Sequence, residues 1–195
     1  MNNVMLDLET MGKGPHAAIV TIGAVFFDPM TGELGAEFEA AIDLRSSAKS
    51  GEIDPDTVLW WLGQGEEARA GLIKGEQFQL PDALCNFYRW IVACCPDRDV
   101  QMWGNGAGFD NVILRSAYVA CGLIVPWKHW NDRDVRTVVD MGRNLLGFDP
   151  KKDMPFEGVA HRALDDATHQ ARYVSAIYQR MLAAMNGYGM AGGAV

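Results

Sequence analysis

No uninterrupted apolar run in the sequence is long enough to cross a bilayer, which argues against a helical membrane span. The opening Met1-Asn2-Asn3-Val4-Met5-Leu6-Asp7 lacks a basic stretch followed by an apolar run and a small-residue cleavage site, so a cytoplasmic location is expected. C-x-x-C spacing is missing too. Cys85, Cys94, Cys95 and Cys121 lie in apolar, helix-patterned surroundings, where buried reduced thiols are expected instead of zinc ligands or disulfides. Positive charge is scarce: 17 Lys and Arg stand against 25 Asp and Glu, for a net charge of −8. That balance argues against broad adhesion to a polyphosphate backbone. It is compatible with a site whose carboxylates hold cations, because the bound metal offsets their formal charge.

What is present describes one folded unit. At 195 residues, 49% apolar and 22% charged, the chain can bury a single substantial core. Residues 1–183 are expected to form that domain, and 184–195 a flexible Gly- and Ala-rich tail. Val4 to Glu9 reads as a short strand, Ile19 to Phe27 as a second and Leu34 to Ile42 as a third, with Asp28 to Gly32 as the turn of a hairpin. Asp54 with Pro55 starts a helix towards Leu62. A further helix is expected over Pro81 to Cys95, a strand over Val100 to Trp103, a glycine-rich loop over Gly104 to Gly108 and a helix over Asp110 to Ala120. A short strand within His129 to Asp134, a helix from Val135 to Leu146 capped by Asp134, and a last helix from Ala163 to Leu182 complete the pattern. Three successive strands followed by alternating helices and strands imply an α/β fold, a mixed sheet with helices on both faces.

Three segments carry chemistry. In Asp7-Leu8-Glu9, residues two apart on a strand share a face, so two carboxylates converge at one point. Two acids so close repel unless a cation sits between them, and hard oxygen ligands suit Mg²⁺ or Mn²⁺. Gly104 to Asp110 places an acid at the start of a helix behind a loop whose glycines admit close approach to a ligand. A helix-capping role for Asp110 accounts for that segment equally well when it is taken alone. His161-Arg162-Ala163-Leu164-Asp165-Asp166 offers a histidine able to take a proton from water and, further along, an aspartate able to reach a metal. Capping or surface pairing is the alternative there.

Taken together, the segments resemble the DEDDh 3′-5′ exonucleases of the DnaQ-like, ribonuclease H-like superfamily, such as the exonuclease VIII-like and RNase T-like single-domain members. That family carries Asp-x-Glu on its first strand, an Asp after a glycine- or alanine-bearing loop, and His-x-x-x-x-Asp near its end. Asp7, Glu9, Asp110, His161 and Asp166 match in order and spacing, across residues 4–182. Asn105 stands one residue further from Asp110 than in many relatives. The spacing from His161 selects Asp166 as ligand and leaves Asp165 to solvent or a secondary role.

The resemblance implies a ribonuclease H-like sheet of three antiparallel strands and then parallel ones. It implies that Asp7, Glu9, Asp110 and Asp166 hold two divalent cations, Mg²⁺ or Mn²⁺, and that His161 is the general base. The expected reaction removes nucleoside 5′-monophosphates from the 3′ end of single-stranded DNA or RNA, with activity rising from pH ~6 to ~8 as histidine becomes neutral. Thr10, Met11, Trp61 and Asn105 are the expected substrate contacts; either Trp60 or Trp61 could stack on a terminal base, against core packing as the alternative. Arg133, Arg136, Arg143, Lys151, Lys152 and Arg162 are interleaved with acids, so a solvated face is expected there in preference to a phosphate track. A homodimer is compatible with the family. A ribonuclease H-like endonuclease, a nucleotide phosphohydrolase and a non-catalytic nucleic-acid-binding module are the competing readings.

Overall fold

The computed structural model describes residues 1–73 and 75–191, with side chains through residue 186. The chain runs β1 (Asn3–Thr10), β2 (Ile19–Phe27), β3 (Leu34–Ile42), α1 (Leu44–Ser47), α2 (Pro55–Leu62), α3 (Glu66–Gly71), β4 (Gln77–Phe78) and α4 (Leu80–Cys94). It continues through β5 (Gln101–Gly104), α5 (Asp110–Ala120), a 3₁₀ turn (His129–Asn131), β6 (Asp132–Asp134), α6 (Val135–Leu146), α7 (Pro150–Asp153) and α8 (Ala163–Ala191). Among the described residues one sheet, in the order β4-β3-β2-β1-β5-β6, holds all six strands. β1, β2 and β3 pair antiparallel, while β5 lies parallel to β1 and β6 parallel to β5. This is the expected mixed sheet.

The pleat of β1 sorts its residues onto two faces. Val4, Leu6 and Leu8 join Ile22, Ala24 and Phe26 of β2 in a buried cluster covered by α4 and α5 through Leu84, Phe87, Ile91, Ile113 and Leu114. Met5 points the other way, into a cluster with Val25, Phe27 and Trp103 that α6 and α8 cover through Val135, Val139, Ala167, Ala171, Val174 and Ile177. Asp7 and Glu9 continue the Met5 face, so the strand that builds the core also aims its two acids at α8. Small residues let that helix come close. A Cβ on Gly23, which pairs with Asp7, would lie 2.2 Å from backbone atoms of Ala163 and Leu164, so only glycine fits beneath the helix start.

Several boundaries differ from the sequence reading. The stretch before β6 is a 3₁₀ turn, leaving a strand of three residues. α8 extends beyond Leu182 to Ala191, because Leu182, Ala183, Ala184 and Met185 favour helix and outweigh the glycines that follow. The expected tail therefore begins inside a helix, and its last residues, 192–195, lie outside the described residues. Cys94 is exposed where a buried thiol was expected, because it falls on the outer face at the end of α4. All four cysteines are free. Among the described residues, no helix is long and apolar enough to cross a membrane.

Candidate active site

Four acids meet between the C-terminal half of β1, the start of α5 and the first turn of α8. Glu9 and Asp110 are buried, with 9% and 4% of their surface exposed; Asp7 and Asp166 are partly buried. Asp110 is the first residue of α5, not its cap. Its Oδ1 accepts from the Leu8 amide at 3.2 Å, which pins the helix start to β1. Asp7 Oδ1 accepts from Gln170 Nε2 at 2.9 Å, one turn of α8 beyond Asp166. Asp166 Oδ2 accepts from the His161 amide at 2.8 Å, drawing the loop before α8 back onto the helix.

The electrostatics are strained. Burial raises Asp7 well above the usual carboxylate range, and the charges of Asp110, Glu9 and Asp166 push it further, while the Gln170 hydrogen bond partly offsets them. Burial, then Asp166 and Asp110, push Glu9 up to about 8. Burial takes Asp110 to about 7 against the lowering effect of the Leu8, Asp110 and Asn105 amides and the Arg136 charge. Asp166 is raised by burial, with the His161 amide working against it. Among the described residues none of the four forms a salt bridge, although Arg115, Arg143, Arg162 and Arg172 elsewhere each do. Such a cluster lacks only positive charge, and an all-oxygen donor set of this kind fits hard divalent cations. Glu9, His161 and Asp166 also bring one ligand atom each within 4.8 Å of one another. The amide oxygen of Gln170 is buried beside the cluster without a partner.

His161 adopts a left-handed backbone with φ of 65°. Few non-glycine residues do so, and those that do gather at functional sites, where surrounding contacts hold them. Here the contacts are visible. Asp165 Oδ2 accepts from the Val159 amide at 2.9 Å, and Arg162 bonds both carboxylate oxygens of Glu39 on β3, at 2.9 and 2.7 Å. Asp165 thus folds the histidine loop, the secondary of the two roles expected of it. The His161 ring stands edge-on to Trp60 and Trp61, with centroids 5.1 and 6.1 Å away.

Beside the acids lies a cleft of about 480 Å³ lined by Leu8, Glu9, Thr10, Trp60, Trp61 and Phe109, among others. A second groove of about 530 Å³ runs on from His161 and Arg162 along β3 and α3. Trp60 is 47% exposed and Trp61 only 4%, so of the two adjacent rings Trp60 faces solvent. Trp61 packs with Met11, Ala18 and Val20, and its indole N–H donates to the Thr10 carbonyl at 3.0 Å. Expected contacts Trp61 and Met11 are therefore chiefly packing residues, with Trp61 showing an edge to the cleft. Thr10 lines the cleft but spends its hydroxyl on the Gly12 carbonyl at 2.8 Å. Asn105 acts on the cluster through its amide, which helps lower Asp110. Sequence reasoning missed Gln170; its signal was the position four residues after Asp166, on the same helix face.

The family model of the 3'-5' exoribonuclease Rv2179c-like domain matches residues 2–178. An exodeoxyribonuclease of Enterobacteria phage T4 is 29% identical over 163 residues, spanning 72% of this chain and 71% of its own. Among solved structures, the nuclease domain of 3'hExo, a DEDDh family member bound to rAMP, superposes with a TM-score of 0.58 at 15% identity, covering 93% of this chain and 92% of that one. Cell-death related nuclease 4 (CRN-4) gives 0.63 at 13% identity, over 93% of this chain and 64% of its own. At such identities the structural likeness carries the fold, while the family match carries the chemistry.

Proposed function

This chain belongs to the family of 3'-5' exoribonuclease Rv2179c-like domains, and from that premise we propose how its residues divide the work. The activity is 3′-5′ exonucleolytic hydrolysis of nucleic acid, metal-dependent as is typical of DEDDh enzymes. Asp7, Glu9, Asp110 and Asp166 would hold two Mg²⁺ or Mn²⁺ ions, which when bound supply neutralising charge and polarise the phosphate. The observation that carries this assignment is the buried acid cluster, none of whose members is salt-bridged to a cation among the described residues. His161 takes the proton of the attacking water as its oxygen bonds to phosphorus. The bond from phosphorus to the 3′ oxygen of the preceding nucleotide breaks, releasing a nucleoside 5′-monophosphate and a strand one nucleotide shorter. Edge contacts with Trp60 and Trp61 hold the imidazole, and the left-handed turn aims it.

A cleft of about 480 Å³ falls within the range of small-ligand pockets, which supports a single frayed nucleotide at a single-stranded 3′ end as the occupant. The exposed face of Trp60 offers a stacking surface for its base without regard to sequence. One relative's name specifies DNA and the family's specifies RNA, so both sugars belong in the test. A 5′-labelled single-stranded DNA or RNA oligonucleotide, with Mg²⁺, Mn²⁺ or EDTA, should give a metal-dependent ladder shrinking from the 3′ end. Asp110→Asn should abolish it. Oligonucleotides left intact under every condition by the folded protein would overturn the reading in favour of a small-substrate hydrolase or a binding module. We also propose self-association through the exposed Leu59 and Leu62 of α2, a helix that lines the cleft, and Ile73 just after α3, at 67%, 62% and 73% exposure, which sedimentation at several concentrations would test.

A further inference from the structure

The glycine-rich loop after β5 joins the acid cluster to one cation. At one end the Asp110 side chain packs against Gly104. Further on, Asp134 ties the loop to the start of α6, its Oδ2 accepting from the Ala107 amide at 2.9 Å while its Oδ1 accepts from the Thr137 amide at 2.8 Å. Between these anchors Gly106 sits at φ +107°, and a Cβ there would lie 3.3 Å from the guanidinium carbon of Arg136. The loop thus lets the Arg136 head group lie over bare backbone, two residues beyond the Asp134 cap.

Arg136 is exposed, and among the described residues it forms no salt bridge and no side-chain hydrogen bond. Its charge nevertheless reaches the site. Burial raises Asp110 and also Tyr173 on α8, and Arg136 is among the groups that draw both back down. On a chain of net charge −8, a guanidinium packed on the loop that leads to Asp110 and bound to none of the four acids is free to take an anion. Its planar fork matches two phosphate oxygens, and no internal ion pair has to be broken first.

We propose that Arg136 contacts a backbone phosphate of the substrate strand at the mouth of the acid cluster, and so positions the 3′ end. The proposal rests on the exonuclease reading above. It assigns a phosphate contact within a segment whose interleaved charges pointed to a solvated face.

The test uses release of the terminal nucleotide from a 5′-labelled oligonucleotide by the wild-type protein, Arg136→Ala and Arg136→Lys. Wild-type activity establishes the exonuclease reading independently, because its absence would be a failure of that reading alone. Arg136→Ala should raise KM by roughly tenfold or more with a smaller change in kcat. It should also flatten the dependence of log KM on log salt by about 0.7, the contribution of one phosphate on a single strand. Arg136→Lys should recover part of the loss. Methylphosphonates placed singly at the second and third linkages from the 3′ end should reveal one position that weakens wild type but adds nothing to Arg136→Ala. An unchanged KM and salt slope in Arg136→Ala would overturn the proposal. So would a defect confined to kcat and its pH profile, which would assign Arg136 to tuning Asp110.

Discussion

Replacing Glu9 by Gln should stabilise the metal-free protein. Burial and two neighbouring acids raise Glu9 from 4.5 to about 8, so the folded state binds its proton more tightly than the unfolded chain does. Stability must then fall as pH rises between those values, at about 1.4 kcal/mol per pH step. At pH 7 the folded state keeps Glu9 protonated where the unfolded chain ionises it, which costs the empty fold on the order of 3 kcal/mol, and above pH ~8, where the buried side chain itself carries charge, on the order of 5. Gln keeps the shape and removes the charge. For a chain of this size, 3 kcal/mol corresponds to a rise in Tm of about 6–12 °C. Calorimetry in EDTA should show the variant and wild type converging near pH ~4.5 and separating as pH rises. Adding Mn²⁺ should reverse the order, because binding stabilises only the chain that keeps its ligand set. A Glu9→Gln protein that melts with or below wild type in EDTA at pH ~8.5 would refute the claim that these acids are held together against their own repulsion.

The two tryptophans should separate cleanly. Trp61→Ala, at a side chain 4% exposed and hydrogen-bonded to Thr10, should cost about 3–5 kcal/mol in denaturant unfolding, whereas Trp60→Ala should leave stability nearly unchanged and raise KM for the oligonucleotide; equal stability losses would remove Trp60 from the substrate surface. Both His161→Ala and His161→Gly should lower kcat by about 10²–10⁴-fold, but with φ at 65° the glycine variant should be the more stable by about 1 kcal/mol. A more stable alanine variant would contradict the strained turn. Gly23→Ala should collapse activity together with Tm, because its Cβ would meet backbone of Ala163 at 2.2 Å and displace the turn carrying His161 and Asp166. Retained activity in that variant would mean that α8 can slide without harm to the site.

Much of the framework was legible because local signals agreed with their surroundings. Strands β2 and β3 coincide with the two arms of the hairpin read from sequence, and Asp54 and Asp134 cap their helices as their positions suggested. That Asp7, Glu9, Asp110, His161 and Asp166 come together was legible because order and spacing along the chain survive folding. Contacts that depend on how elements pack were not. Which of Trp60 and Trp61 faces outward depends on how α2 is rotated over Met11 and Val20, and no local pattern in so short a helix states that rotation. Gln170 reads as one polar residue among many on α8 until β1 is placed beneath it. Arg136 was hidden by its acidic neighbours in sequence, which turn out to bind other groups: Asp132 takes Arg115 and Trp127, and Asp134 takes the Ala107 and Thr137 amides.

The site is where this chain breaks the rules that the rest of it obeys. Elsewhere β1 alternates apolar residues into two dry clusters; at Asp7 and Glu9 the same alternation delivers charge to a buried face. Around it, a histidine holds a conformation suited to glycine, and a buried amide oxygen has no partner. Each of these features costs stability and none improves packing, so the fold must supply the difference from the apolar clusters on both faces of the sheet. A purely structural account gives no reason to gather four acids and, among the described residues, to pair none of them with a cation. A role in holding divalent metal against phosphate accounts for the burial, the strained turn and the free guanidinium at the rim, and it ties the cost in stability directly to the chemistry performed there.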